Sequence, residues 1–170
     1  LFSLIPEPHS AQTDGKFTQH CAWCKASDQK TSFPREFFDV CGMNYLAHLV
    51  LSGDDAEIML GNFIGDAVKG SPESQYPDAI ARGIRLHRWI DSTADGHPLA
   101  QVARAALRPV LGRFSGVGVD LLYDHFLARN FQAATGNQSL ATFADQSHAK
   151  LRPRQAEMPL RSQRFFEAMV

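Results

Sequence analysis

Three observations predict an all-α fold. Apolar residues recur at helical spacing beyond Met43, strand-type alternation is almost absent, and Gly70, Pro72, Pro77 and Pro98 fall where periodic segments start or stop. The expected architecture is a compact helical bundle. Its first helix, Asn44 to Leu51, is short and carries His48. Asp54 or Asp55 can cap the second, which runs to Lys69 with Met59, Phe63 and Ala67 along one stripe, and Gly70 and Pro72 stop it. Pro77 suits the first turn of a third helix through Asp91. There Ile80, Ile84, His87 and Asp91 share one face, which begins as core and ends at a site. Pro98 opens a fourth helix, with Leu99, Val102, Ala103, Ala106, Leu107 and Val110 at helical spacing. Val117 to Phe131 forms a fifth, carrying Asp120, Asp124 and His125. Two more are predicted, from Ser139 to about Leu151 and from Pro159 to the end.

Length and composition bound the rest. The 170 residues suffice for one domain with a real core, and 44% hydrophobic with 21% charged residues describes an ordinary globular protein. No apolar run approaches the ~20 residues of a membrane span. Leu1-Phe2-Ser3-Leu4-Ile5 is too short for a signal sequence and has no basic flank, so cytoplasmic residence is expected. Residues 1–42 show no sustained period and are expected to be an extension outside the fold, with Met43 as the natural start of a helical domain over 43–170. All three cysteines precede Met43. Cys21-Ala22-Trp23-Cys24, beside His20, has zinc-knuckle or redox spacing, but no second such pair completes four ligands, so an accidental pair is expected. The final stretch, Arg164 to Val170, ends on Phe and Met without a cap. It is expected to leave apolar surface without a partner, as in a chain truncated at its C-terminus.

Seven His and Asp residues occur within apolar helical patterns: His48, Asp66, His87, Asp91, Asp120, Asp124 and His125. A carboxylate on such a face is costly unless paired or metal-bound. His87 and Asp91, four apart, project from one side of a helix. Two readings stand: a divalent-metal site, or a network of interhelical ion pairs with neighbouring arginines. Mixed His and Asp ligands without Cys suit Mn²⁺, Fe²⁺, Mg²⁺ or Zn²⁺, and the matching chemistry is phosphoester hydrolysis. No Gly-x-Ser-x-Gly elbow, Walker loop or GxGxxG supports another mechanism. From Met43 onward arginine supplies 11 of the 13 Lys and Arg residues, which suits bidentate contact with phosphate or carboxylate and equally fits a solvated surface. In Asp95-Gly96-His97-Pro98, Asp95 is expected to cap the helix that Pro98 begins, while His97 could serve as an outer ligand or contact a phosphate.

Four stretches then stand out together: Met43-Asn44-Tyr45-Leu46-Ala47-His48-Leu49, Gly61-Asn62-Phe63-Ile64-Gly65-Asp66, Gly83-Ile84-Arg85-Leu86-His87-Arg88-Trp89-Ile90-Asp91 and Tyr123-Asp124-His125-Phe126-Leu127-Ala128. In this order they resemble the acyl carrier protein phosphodiesterases, from Met43 to about Arg129. The resemblance implies a divergent, HD-domain-like, all-helical metal-dependent phosphohydrolase. It further implies hydrolysis of the phosphodiester joining 4′-phosphopantetheine to a serine of holo-acyl carrier protein, with Mn²⁺ as the usual metal; by ligand type Mg²⁺ or Fe²⁺ is the alternative. It carries His48, Asp66, His87, Asp91, Asp124 and His125 over as the ligand and catalytic set. Within this chain we assign His48, Asp66, His87 and Asp124 to the metal, and Asp91, His125 and Asp120 to proton handling. The chain departs from the common adjacent His-Asp signature: Asp124-His125 is reversed, and three residues separate His87 from Asp91. Carrier proteins are acidic, so Arg82, Arg85, Arg88 and Lys69, with His97, are the expected partner-binding residues. The rival expectations are an HD-type hydrolase of nucleotides or small phosphoesters, and a non-catalytic helical module that binds the carrier protein.

Overall fold

A computed structural model describes residues 45–169, and every regular element among them is helical. In chain order these are α1 (Tyr45–Leu51), α2 (Ala56–Ile64), α3 (Asp78–Gly96), α4 (Pro98–Leu111), α5 (Ser115–Arg129), α6 (Phe131–Thr135), α7 (Leu140–Leu151) and α8 (Leu160–Met169), with short 3₁₀ turns between several of them. The expected all-α bundle is what the described chain forms. Met43, the cysteine pair and the N-terminal extension lie outside the described residues. No helix among the described residues is long and apolar enough to cross a membrane.

The helix starts obey local chemistry. Asp55 is the N-cap of α2, its Oδ1 accepting from the backbone N–H of Glu57 (2.9 Å) and Ile58 (3.1 Å). Pro77 immediately precedes α3, and Ser139 caps α7 through the Thr142 N–H. Asp95 does not cap α4. It lies inside the last turn of α3, and the cap is His97, whose Nδ1 accepts from the Leu99 N–H at 3.2 Å. With Pro98 at the first helical position, the cap must be the residue just before it.

Several predicted boundaries move, and the helix expected over Val117 to Phe131 runs instead over Ser115–Arg129, with α6 separate after it. α2 ends at Ile64 rather than Lys69 and tightens into a 3₁₀ turn over Gly65–Ala67. α3 runs past Asp91 to Gly96. Two predicted faces also change character. The apolar stripe of α4 is largely solvent-facing, with Leu99, Val102 and Val110 exposed, and the buried residue of the helix, Ala100, lies outside that stripe. Its inner contact is with α5, where Gly118 leaves room for the Leu107 and Leu111 side chains. The terminal helix, by contrast, is partnered: Phe166 is buried in the core and Phe165 stacks on Tyr45 at a centroid distance of 4.0 Å. The exposed terminal apolar surface expected from the sequence is therefore not what α8 presents.

The core gathers Met59, Leu60, Phe63 and Ile64 of α2, Ile80 and Ile84 of α3, Leu151 of α7 and Phe166 of α8. Each such side chain contributes about 1.5–3 kcal/mol when fully buried. The centre of this packing is a close crossing of α2 over α3. A Cβ added at Gly61 would lie 2.1 Å from the Ile80 carbonyl oxygen, and one at Gly83 would lie 2.3 Å from that of Ile58. Backbone meets backbone there, with no flexible side chain able to give way. Gly61→Ala is accordingly expected to lower stability by about 1–3 kcal/mol or more through overpacking, read as an earlier urea midpoint. An unchanged midpoint would show that the two helices do not cross this closely.

Candidate metal centre

The close crossing places α1, α2 and α3 around two histidines. His48 (1% exposed) on α1 and His87 (2%) on α3 stack ring on ring, with centroids 4.2 Å apart. A third residue decides how they face. Asn62 on α2 is fully buried (0%), and its amide Nδ2 donates to the His48 carbonyl at 2.8 Å and to Ser52 Oγ at 2.9 Å. Because Nδ2 must face the carbonyl, the Asn62 Oδ1 must face His48 Nδ1, which it meets at 2.8 Å. That nitrogen therefore carries the hydrogen and donates it. The Asn62 backbone carbonyl does the same for the other ring, accepting from His87 Nδ1 at 2.8 Å. One residue thus directs both Nε2 atoms to the same place, as second-layer partners of metal-ligating histidines do.

Both Nε2 atoms face carboxylates. His48 Nε2 lies 3.0 Å from Asp91 Oδ1; His87 Nε2 lies 3.2 Å from Asp91 Oδ2 and 3.1 Å from Asp66 Oδ1. With Nδ1 holding the hydrogen, each Nε2 lone pair points at carboxylate oxygen, and a positive charge must stand between them. A ring proton or a shared cation can supply it. The response of the groups agrees. Burial pushes the His87 imidazolium pKa down, but hydrogen bonds to Asp66 and Asp91 and their negative charges outweigh it and raise it to about 9. Burial would push the Asp91 carboxyl up, yet the two histidines hold it well below the usual carboxylate range. Donor atoms of His48, His87 and Asp91 all lie within 4.8 Å of one another, a group that could hold a metal ion. Nitrogen and oxygen donors of this kind fit a hard or borderline divalent cation.

Local sequence explains the fit. A Cβ at Gly65 would lie 2.3 Å from the His87 ring, so glycine there lets the imidazole lie against the end of α2. Asp66 follows in the 3₁₀ turn, whose tighter winding carries its carboxylate to His87 Nε2. A cavity of about 330 Å³ opens at this point, and its walls include Asp66, His87 and Asp91 together with Lys69 and Arg88.

The sequence-predicted residues divide. His48, His87, Asp66 and Asp91 come together, with Asp91, the residue assigned to proton handling, facing both imidazoles. Asp124 is engaged elsewhere: its two oxygens accept from the backbone N–H groups of Leu46 (2.9 Å) and Ala47 (3.1 Å) at the start of α1. Burial pushes its carboxyl up against the pull of those two bonds. Asp120, one turn earlier on α5, is pushed up to about 6 by burial and by Asp95, with Asp91 and Asp124 adding and Arg104 opposing. His125 is exposed, its ring edge-on to Phe126 at 5.5 Å. The expected partner-binding cations have three different situations. Arg82 pairs with Asp78 (3.5 Å), Arg85 pairs with Glu73, and Arg88 donates to the carbonyls of Val68 (2.9 Å) and Gly70 (3.0 Å). Lys69 Nζ reaches the Asp66 carbonyl at 3.1 Å. His97 is the α4 cap already described. Sequence reasoning missed Asn62 and Ser52. The available signal was a lone amide between Gly61 and Phe63 in a run otherwise destined for the core.

Fold and cluster together define a class: a chain whose described residues are all-helical, with two buried imidazoles and two half-exposed carboxylates of divalent-cation type beside a cavity that carries cations on its wall. Residues 43–170 match the family model described as acyl carrier protein phosphodiesterase. The chain is similar to proteins of that name from Pectobacterium atrosepticum (39% identical over 121 residues, covering 71% of this chain and 63% of that protein) and Yersinia pestis (36% over 121 residues, 71% and 63%). A third, from Serratia proteamaculans, is 36% identical over 123 residues, 72% and 62%. The chain belongs to the acyl carrier protein phosphodiesterase family. It spans a little over three-fifths of the length of these relatives. No solved structure matches.

The raised His87 pKa has a consequence for stability. A group whose folded pKa exceeds its unfolded value of about 6.5 stabilises the fold fully below that value and loses the contribution as pH rises through about 9. In chelator, thermal unfolding of the metal-free chain is expected to move to lower temperature between pH 6.5 and 9. His87→Gln should lack that component. A wild-type midpoint that is flat over the same window would mean that His87 is not held protonated by Asp66 and Asp91.

Proposed function

We propose that this chain carries the metal-dependent hydrolysis of the phosphodiester between 4′-phosphopantetheine and a serine of holo-acyl carrier protein, with Mn²⁺ as the metal. The observation that carries this reading is the pair of histidines whose Nδ1 atoms are both engaged by Asn62, leaving His48 Nε2 aimed at Asp91 and His87 Nε2 at both Asp66 and Asp91. Membership of the family and the names of the relatives support the substrate.

His48, His87, Asp66 and Asp91 would hold the cation. When bound, such an ion polarises a phosphoryl oxygen and lowers the pKa of water. Lys69 and Arg88, on the cavity wall beside these residues, supply positive charge for the diester; Arg88 is braced on the Val68 and Gly70 carbonyls and so needs no rearrangement. Asp120, on α5 with its carboxyl pushed up to about 6 by burial, keeps the assignment of accepting a proton from water, a task for which a carboxyl near the working pH is suited. Arg82 and Arg85 lie on the exposed side of α3, away from the Ile84–His87–Asp91 face, and steer the acidic carrier protein.

With Mn²⁺ present, the protein is expected to convert holo- to apo-carrier protein with a mass loss equal to one phosphopantetheine. His87→Ala should abolish turnover and weaken Mn²⁺ binding by more than the ~10–100-fold typical of outer-layer changes. No conversion with Mn²⁺, Mg²⁺ or Fe²⁺ would end this reading, and turnover of a nucleotide panel in its place would move the chain to small phosphoesters. Charge reversal at Arg85 should lower kcat/KM for the carrier protein, less so at high salt, since exposed charges are screened beyond about 10 Å at 0.1 M. Equal loss on a small diester would place Arg85 at the phosphate instead of at the rim.

A further inference from the structure

Asp124 sits on α5, 78 residues from the backbone it holds. The first N–H groups of any helix lack intrahelical acceptors, and α1 has no acidic residue of its own in the first turn. Asp124 meets that need from outside, one oxygen to each of two consecutive amides: Oδ2 to Leu46 at 2.9 Å and Oδ1 to Ala47 at 3.1 Å. The next residue is His48. Its ring is engaged by Asn62 at Nδ1 and by Asp91 at Nε2, and its carbonyl accepts from Ser52 Oγ (2.8 Å) and Asn62 Nδ2 (2.8 Å). His48 is therefore fixed at the ring and carbonyl by α2, α3 and the end of α1, and on its N-terminal side by α5. Two parallel bonds from one planar carboxylate set both the depth and the rotation of the first turn, which a single bond does not.

We propose that Asp124 is a positioning residue for His48: it belongs to the catalytic machinery through the α1 backbone and does not itself ligate the metal. This rests on the reading of His48 as a ligand. It explains why a carboxylate is used: an amide at this position would offer one acceptor and turn its own N–H group against the second backbone donor. It also gives α5 a share in the site although its Asp124–His125 pair is not part of the converging donor group.

A double-mutant cycle on Mn²⁺ binding, with Mn²⁺ alone as the probe and the full chain in every case, tests it. Asp124→Asn, once shown to be folded by circular dichroism, is expected to weaken Mn²⁺ binding by about 10-fold, the scale of a lost supporting contact. In a His48→Ala background the same change is expected to cost less than about two-fold, because its effect passes through His48. An undiminished loss in that background would make Asp124 an independent ligand and overturn the proposal; so would unchanged affinity in Asp124→Asn alone. Should the variant not fold, amide hydrogen exchange on the unaltered protein decides. Leu46 and Ala47 are expected to exchange slowly, and exchange at the rate of an open first turn would overturn the cap. If the unaltered chain binds no Mn²⁺, the metal reading itself fails. A failed cycle in a chain that does bind Mn²⁺ sinks this inference alone.

Discussion

The structure turns on the buried amide of Asn62. Its orientation is not free, because Nδ2 has two acceptors in His48 O and Ser52 Oγ, which leaves Oδ1 for the His48 ring. Its backbone carbonyl serves the His87 ring in the same sense. Reversing the amide would set oxygen against oxygen at a fully buried position, a loss of about 1–3 kcal/mol for each polar group left unmet. The tautomer of both histidines therefore follows from one residue's hydrogen-bond inventory. Everything chemical about the cluster descends from that: two ring lone pairs converge on two carboxylates, and the gap between them demands positive charge.

Such a clamp requires helices closer than side chains normally allow. Gly61 and Gly83 supply the closeness at the crossing of α2 and α3, and Gly65 supplies it again where the His87 ring lies against the end of α2. The Gly61-to-Asp66 motif is then read position by position. Gly61 admits the crossing, Asn62 orients the rings, Phe63 and Ile64 fill the core, Gly65 makes room for His87, and Asp66 meets its Nε2. These six residues serve both the core and the site, so packing and site geometry are not separable here.

The charges divide by depth. Near the cluster, Arg88 and Lys69 donate to backbone carbonyls and bring positive charge to the wall of the cavity that also holds Asp66 and Asp91. Further out, Arg82 and Arg85 are matched by Asp78 and Glu73 in exposed pairs that solvent screens. The surface pairs thus contribute little to stability and leave their arginines available to a partner at small cost.

By itself the sequence determined the helical class, nearly every element, and the face of α3 that passes from Ile80 and Ile84 to His87 and Asp91, because helical periodicity and capping are local properties. It also singled out His48, Asp66, His87 and Asp91, since polar groups on apolar faces are costly enough to be conspicuous. It could not assign their roles. Asp91 and Asp124 look alike in sequence, each a carboxylate beside a histidine on a helix, yet one meets two imidazoles and the other two backbone amides 77 and 78 residues away. Nor could it weigh the apolar stripe of α4, which is largely exposed, or the terminal phenylalanines, which are not. Those outcomes depend on which helices meet at the Gly61–Gly83 crossing, and a contact between residues distant in the chain leaves no periodicity to read.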